Sequence, residues 1–207
     1  MRSMIVFASL LLAAPMSFAA EGSPHQLSAG LGTFATTTAY FGDTSYDGKS
    51  DDGNGGASLS GFFDLGVEYT YRMKKTMGVG AIFKYFSTSD ETQEDLETSF
   101  SAFVIGGVWR HYLRAGQTEF SIGGGLGYMS ASIKYSGDAV LDNSNSSVDS
   151  AETEEAGLFT TFFLIDANYW ISPKFAIGIE HGTYYALGDT WNGVAASDWM
   201  INGTFGF

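Results

Sequence analysis

The sequence predicts an all-β protein in which eight antiparallel strands close into an up-and-down transmembrane barrel. Apolar and polar residues alternate with period two in eight segments, and the connections between these segments are alternately short and long. In addition, the charges share one face of each strand with glycine, whereas large aromatic residues occupy the other. A soluble sandwich would turn its large apolar residues inward. The inverted pattern is typical of a narrow polar interior surrounded by lipid.

The composition agrees with this fold class and excludes several others. Of 207 residues, 15% are aromatic, 27 are glycine and only 16% are charged. Such an aromatic content argues against a disordered acidic chain. Cysteine is absent, which excludes disulfides and thiolate metal sites. The formal net charge of −13 argues against nucleic acid as a partner, because phosphate binding needs clustered Lys and Arg.

The N-terminal segment, residues 1–19, is predicted to be a cleavable signal peptide. Arg2 precedes an apolar centre at 4–14, and small residues follow for cleavage. The apolar centre is too short to cross about 30 Å of hydrocarbon as a helix. The barrel domain is therefore expected to occupy residues 20–207.

The alternation is clearest in residues 59–72. Leu65 and Val67 lie on one face of this segment, and Asp64 and Glu68 lie on the other. The same pattern, weakest in the first segment, predicts eight strands: 26–40, 59–72, 77–85, 102–110, 119–128, 159–171, 175–182 and 198–207.

The lengths of the connections predict how the barrel is oriented in the membrane. Short turns are expected at 73–75, 113–117 and 172–174, and long loops at 42–58, 87–97, 136–157 and 187–197. Outer-membrane barrels have short periplasmic turns and longer external loops. The long loops hold sixteen acids and one base, Lys49. The short turns and their flanks hold Arg72, Lys74, Lys75, Arg114 and Lys174.

Two aromatic belts are predicted where the outer face meets the two membrane interfaces. The belt near the short turns comprises Trp109, Tyr112, Phe120, Trp170, Phe175 and Phe207. The belt near the long loops comprises Tyr40, Tyr85, Tyr135, Phe159, Tyr185 and Trp199.

An ion-pair network is predicted inside the barrel from six inward-facing residues: Asp64, Glu68, Lys84, Arg110, Asp166 and Glu180. Antiparallel register about the first and third short turns places Asp64 opposite Lys84, and Asp166 opposite Glu180. Arg110 is expected near Glu119 or Ser121, reaching across the lumen toward the two facing acids. Eight strands leave an interior about wide enough for side chains to fill. The network is either a plug or a gated polar path for protons or small ions.

Catalytic residues, metal sites and cofactors are not predicted. The histidines are His25, His111 and His181, and none lies in a long loop. His181 faces outward two residues before Thr183, which leaves lipid A hydrolysis as a remote alternative. The acidic tract at 47–56 lacks the ligand spacing of a calcium loop.

The chain resembles the eight-stranded outer-membrane barrels of Gram-negative bacteria, the class that contains the OmpA transmembrane domain, OmpX, NspA and OmpW. The resemblance rests on the signal segment, the strand and connection patterns, and an assembly signal in the last strand, namely Trp199, Ile201, Phe205 and Phe207. Asn202 stands where the family usually has glycine. The resemblance implies a monomer in the bacterial outer membrane that contacts lipid and lipopolysaccharide and is recognised by the barrel assembly machinery.

The expected function is non-enzymatic. Acidic, mobile surface loops would support envelope integrity or bind an extracellular ligand. The alternative is a narrow porin or an OmpW-like channel for ions or small solutes.

Overall fold

A computed structural model of the chain describes residues 23–41, 60–93, 96–137, 152–188 and 191–207. These residues form a closed antiparallel barrel in which the strands pair in chain order and β8 returns to β1. The strands are β1 (His25–Phe41), β2 (Ser60–Lys74), β3 (Met77–Gln93), β4 (Leu96–Ala115), β5 (Thr118–Gly137), β6 (Glu152–Ser172), β7 (Phe175–Leu187) and β8 (Trp191–Gly206). The predicted fold class is confirmed.

Other parts of the prediction lie outside the described residues. These are the signal peptide and most of the acidic long-loop residues. Among the residues that are described, no helix is long and apolar enough to cross a membrane.

Three tight turns connect neighbouring strands at one end of the barrel, which we call the short-turn end. They lie at 75–76, 116–117 and 173–174. Gly116 has a φ of 65°, a left-handed conformation that glycine adopts without a steric penalty. The opposite end, where the predicted long loops emerge, is called the long-loop end.

The strands extend further toward the long-loop end than predicted. β3 runs to Gln93 and β4 begins at Leu96, although a loop was predicted over 87–97. Likewise, β6 begins at Glu152 and β8 begins at Trp191. Hydrophobic alternation marks only the part of a strand that has one face in lipid. Beyond it, backbone pairing continues without that pattern.

The outer face of the barrel is apolar. Ile201 is 73% exposed, and Leu113, Leu126 and Phe159 are each about 60% exposed. Soluble monomers rarely expose contiguous apolar patches larger than a few hundred Å². An exterior of this kind is the lipid-facing surface of a transmembrane barrel.

Two members of the predicted aromatic belts do not lie in the outer face. Tyr112 and Trp170 are buried inside the barrel, so this part of the prediction is wrong. Both occupy positions of even number in β4 and β6, the same parity as the inward-facing Arg110 and Asp166. In a strand the parity of a residue, and not its aromatic character, decides which face it occupies.

The lumen is filled by two layers of side chains. The apolar layer lies mainly toward the long-loop end and comprises Ile82, Phe86, Phe100, Ala102, Val104, Val108, Met129, Ala131, Leu158, Phe162, Leu164, Tyr184, Ala186, Val194 and Ala196. The polar layer lies toward the short-turn end and contains the buried charges described below. The prediction of a narrow polar interior did not include the apolar layer. The sequence feature that indicates an apolar layer is the run 162–165, in which four consecutive apolar residues break the alternation.

Candidate functional site

The polar layer brings together nine buried charged side chains from seven strands. Three are bases and six are acids: Arg72, Lys84, Arg110, Asp64, Glu68, Glu119, Asp166, Glu180 and Asp198. Burying a charge is costly unless the charge is paired and hydrogen-bonded. The arrangement of these groups therefore decides whether the interior is a closed plug or an open path.

Arg110 is the centre of the network and binds three acids. Its Nε and Nη2 donate to the two carboxylate oxygens of Glu68 at 3.0 and 2.6 Å. Its Nη1 donates to Asp166 Oδ2 at 2.7 Å and to Ser121 Oγ at 3.2 Å. Its Nη2 also donates to Glu180 Oε2 at 2.5 Å. The planar guanidinium thus spans the lumen and holds β2, β4, β6 and β7 together.

Lys84 forms a second centre that shares one acid with the first. Its Nζ lies 2.7 Å from Glu180 Oε1 and 3.0 Å from Asp198 Oδ2, and it also contacts the sulfur of Met200. Glu180 therefore bridges the two cations, because its other oxygen binds Arg110. The shared carboxylate joins the two centres into one network.

Glu180 also lies directly opposite Asp166 in the β6–β7 pairing, at the place that the third hairpin predicts. Two adjacent carboxylates repel each other unless a cation lies between them. Arg110 supplies that cation, and Asn168 Nδ2 donates to the other oxygen of Asp166 at 2.6 Å. The position of Arg110 near Ser121 also agrees with the register argument.

Asp64 does not lie opposite Lys84, as the first hairpin had predicted. Lys84 lies opposite Gly66, and Asp64 lies opposite Phe86. The pairing of β2 with β3 is centred at residue 75, one residue later than the prediction, and this displaces every partner by two positions. Asp64 is completely buried, and neither of its carboxylate oxygens has a hydrogen-bond partner in the described part of the chain. Its charged neighbours are Lys84, Asp198 and Glu180.

Three of the nine residues were not in the predicted network, namely Arg72, Glu119 and Asp198. Arg72, assigned to a turn flank, faces inward and makes a two-pronged ion pair with Glu119, one contact of which is 2.9 Å. The Arg72 guanidinium also lies 3.8 Å from the centre of the Tyr112 ring. Asp198 accepts from the backbone N–H of Gly182 at 2.6 Å as well as from Lys84. These residues occupy inward-facing positions in the alternation, and that pattern could have identified them in the sequence.

Glycines on facing strands leave room for the two long cations. Gly123 lies opposite Arg110, and a Cβ added there would come within 2.6 Å of Arg110 Cδ. Gly66 lies opposite Lys84, and a Cβ there would come within 2.8 Å of Lys84 Cδ. Glycine at these inward positions therefore leaves the space that Arg110 and Lys84 need to extend across the barrel.

The pocket described inside the polar layer is small. A cavity beside Lys84, Glu180 and Met200 has a volume of about 10 Å³, room for roughly one water molecule. Within the described ranges no group of three or more His, Asp or Glu residues could hold a metal ion. The arrangement is suited to closing the lumen.

The histidines lie apart from this network. His181 Nδ1 lies 2.6 Å from the backbone oxygen of Asp198, and its ring stacks on Trp199 with 4.5 Å between centroids. His25 Nδ1 lies 2.7 Å from the hydroxyl oxygen of Tyr69 at the short-turn end. Neither bond presents the imidazole as a base to a serine or threonine hydroxyl.

The comparisons with known proteins show similarity in structure. No protein-family model matches the chain, and no curated protein sequence matches it. The crystal structure of Neisserial surface protein A is similar, with a TM-score of 0.61 and 14% identity over 90% of this chain and 99% of that one. Ail, the attachment invasion locus protein of Yersinia pestis, has a TM-score of 0.51 and 17% identity over 89% of this chain and 98% of that one.

The outer membrane protease OmpT of Escherichia coli is more distant. It has a TM-score of 0.46 and 7% identity over 93% of this chain and 99% of that one, and carries no argument about activity. The similarity to the other two structures agrees with the predicted location in the outer membrane. The predicted class is confirmed at the level of the fold: the chain is an eight-stranded barrel of the kind found in the bacterial outer membrane.

Proposed function

We propose that this chain is a non-conducting, non-enzymatic outer-membrane barrel that acts through its long-loop end. The observation that supports this proposal is the closure of the lumen by two successive layers. In the polar layer, Arg110 and Lys84 are each held by at least two acids across the barrel. A side chain fixed by several charge-assisted bonds is not free to swing aside.

The apolar layer makes the second barrier. Phe86, Leu158 and Leu164 are completely buried inside the barrel. An ion that crossed this layer would lose its hydration shell without gaining polar ligands, which is strongly unfavourable. Even a rearrangement of the polar layer would therefore leave the path closed.

The long loops are left as the part that can reach other molecules. They hold sixteen acids and one base in the sequence. Carboxylates and lipopolysaccharide phosphates both attract Mg²⁺ and Ca²⁺, so shared divalent ions would link the loops to the surrounding lipid. Such a loop surface would serve envelope integrity, adhesion or the binding of an extracellular ligand.

The test compares cells that carry matched loop variants. In the first, Asp43, Asp47, Asp51 and Asp52 are changed to Asn; in the control, Ser45 and Ser50 of the same loop are changed to Ala. We expect the first variant to reduce both cell adherence and resistance to detergent with EDTA, and the control to match the wild type. Equal surface levels are checked on unheated gels. Unchanged adherence and resistance in the first variant would contradict the proposal.

A further inference from the structure

The outer face of β7 contains two polar side chains within its apolar row. Its outward positions, read from the short-turn end, are Phe175, Ile177, Ile179, His181, Thr183, Tyr185 and Leu187. His181 is half-buried and Thr183 is exposed. Because apolar or aromatic side chains follow on both sides, these two residues lie inside the lipid-facing band and not at its edge. Polar side chains at such a depth are costly, and they mark candidate functional sites.

Neighbouring strands add two hydroxyl groups to the same area. Ser197 of β8 lies directly opposite Thr183, so their Cβ atoms are about 5 Å apart. Thr161 of β6 lies opposite Tyr185, one diagonal step from Thr183, which corresponds to about 7 to 8 Å. We call four of these residues the outer polar patch: Thr161, His181, Thr183 and Ser197.

The outer polar patch is confined to one side of the barrel. The corresponding outward rows on the other side carry only apolar, aromatic or glycine residues, namely Met77, Val79, Ala81, Phe83 and Tyr85 in β3 and Phe120, Ile122, Gly124, Leu126 and Tyr128 in β5. The bilayer that surrounds a barrel is the same on every side. A polar area on one side only is therefore better explained by a particular bound molecule than by the surrounding lipid.

The depth of the patch in a membrane follows from its distance along β7. His181 is six residues from Phe175, which lies at the short-turn end. At about 3.3 Å per residue and a strand tilt of about 40°, this distance is roughly 15 Å in height, and Thr183 is roughly 5 Å higher. The apolar band of such barrels is about 25 Å tall. The patch therefore lies in the half of the band nearer the long-loop end, among the acyl chains of that leaflet.

The patch has hydrogen-bonding capacity that the described residues do not use. His181 Nδ1 lies 2.6 Å from the backbone oxygen of Asp198. A carbonyl oxygen only accepts, so Nδ1 donates this bond, and Nε2 of the neutral ring is left as an acceptor. The imidazole also stacks on Trp199, which fixes the plane of the ring. The three hydroxyls of the patch form no hydrogen bond with another described residue.

We propose that the outer polar patch binds a lipopolysaccharide molecule through the hydroxyl and ester groups of its acyl chains. This inference rests on the proposed orientation, in which the long-loop end faces the outer leaflet. Lipopolysaccharide acyl chains carry hydroxyl groups and ester linkages below the sugar, whereas phospholipid chains are plain hydrocarbon below their glycerol esters. The three hydroxyls of the patch would donate to ester carbonyls, and Nε2 of His181 would accept from a chain hydroxyl.

Aromatic rings around the patch supply the apolar contact that the same chains need. Phe159, Phe163, Tyr185 and Trp199 face outward beside it, and each is between 47% and 59% exposed. Contact with these rings would contribute affinity for any acyl chain. The hydroxyls and the imidazole would contribute specificity, because a plain chain would leave them without partners in hydrocarbon.

The test measures lipid binding to the folded protein by native mass spectrometry. The full chain without its signal segment is folded in detergent micelles and mixed with lipid A or with cardiolipin at equal concentrations. Both lipids carry two phosphates, but only lipid A has acyl chains with hydroxyl groups. The comparison therefore separates recognition of the chains from attraction to the headgroup charge.

We expect lipid A to bind at least about fivefold more strongly than cardiolipin, a ratio that roughly one net hydrogen bond supplies. The preference should fall to near unity in a triple variant that combines Thr161→Val, Thr183→Val and Ser197→Ala, because these changes remove the hydroxyls with little change of shape. His181→Phe, which keeps a ring beside Trp199, should also weaken the preference.

The matched control removes three hydroxyls from another part of the outer face. Ser87 and Ser101 lie opposite each other in β3 and β4, and Ser130 occupies an outward position in β5. Changing all three to Ala should leave the preference for lipid A unchanged. Folding of each variant is followed by gel mobility before and after heating. If the triple variant does not fold, Thr183→Val alone is measured and should lower the preference at least about twofold.

Equal binding of the two lipids by the unsubstituted chain would overturn the inference, as would an undiminished preference in the triple variant or the same loss in the serine control. Dimers that disappear in the triple variant would also overturn it, because a second copy of the chain would then cover the patch. These outcomes leave the proposed role of the long-loop acids untouched, since none of those acids belongs to the patch. That role fails separately, in the loop variants described above.

Discussion

The two layers of the lumen close the same barrel by different physical means. The polar layer depends on directed contacts, such as the four charge-assisted bonds that Arg110 makes to acids. The apolar layer depends on packing, which has no preferred partner and scales with the volume that is filled. The polar layer should therefore be sensitive to single changes of charge, and the apolar layer to changes of volume.

The largest decrease in the free energy of unfolding is expected when the central cation, Arg110, is removed. Arg110→Met leaves Glu68 and Asp166 buried without their cation and leaves Glu180 with Lys84 alone. Removing one member of a buried ion pair costs about 3 to 5 kcal/mol, and three acids are affected here. We expect the free energy of unfolding in lipid vesicles, measured with urea, to fall by at least that amount. Arg110→Lys should lose less, and a variant as stable as the wild type would show that the network contributes little.

The apolar layer offers the matching test of volume. Phe162→Ala should lower the free energy of unfolding by about 3 kcal/mol, because truncating a buried aromatic leaves a cavity beside Tyr184. Phe162→Leu should cost less than half as much. The outward neighbour Phe163→Leu serves as a control and should change little. Similar losses at 162 and 163 would contradict the assignment of these residues to opposite faces.

Neutralising a group of charges together should lower the free energy of unfolding less than removing one of them. Lys84→Met alone leaves Asp198 and Glu180 without one of their donors. Lys84→Met combined with Asp64→Asn and Asp198→Asn removes the cation together with two acids, and should recover most of that loss, to within about 1 kcal/mol of the wild type. Urea unfolding of the wild type, Lys84→Met, the Asp64→Asn/Asp198→Asn variant and the triple variant measures this. Additive losses would argue against coupling among these side chains.

The smallest effect is expected at Asp64. This buried carboxylate has no hydrogen-bond partner among the described residues, and the polar layer holds more acids than bases. Asp64→Asn should therefore leave the free energy of unfolding unchanged within about 0.5 kcal/mol or raise it slightly, since the carboxyl group that it replaces is buried without a hydrogen bond. The measurement is the same urea titration. A loss above 2 kcal/mol would mean that Asp64 has a partner of its own.

The sequence predicted the fold well because period-two alternation marks every strand that has one face in lipid. The same parity places Lys84, Arg110 and Glu180 inside the barrel. It could not give the exact partner of Asp64, because one residue of uncertainty in a turn displaces the register by two. The apolar layer was not predicted, because the strong alternation on the outer face obscured the inward apolar residues Phe162 and Leu164. Trp170 was predicted at the membrane interface because it is aromatic, although its position in β6 turns it into the lumen.

Closure of the lumen by both layers can be tested by single-channel conductance in a planar bilayer. We expect no current steps for the wild type. We expect none for Glu180→Ala either, because the apolar layer remains intact when the polar network is disturbed. Reproducible current steps from the folded wild type would contradict closure by the two layers and would favour a narrow channel through the barrel.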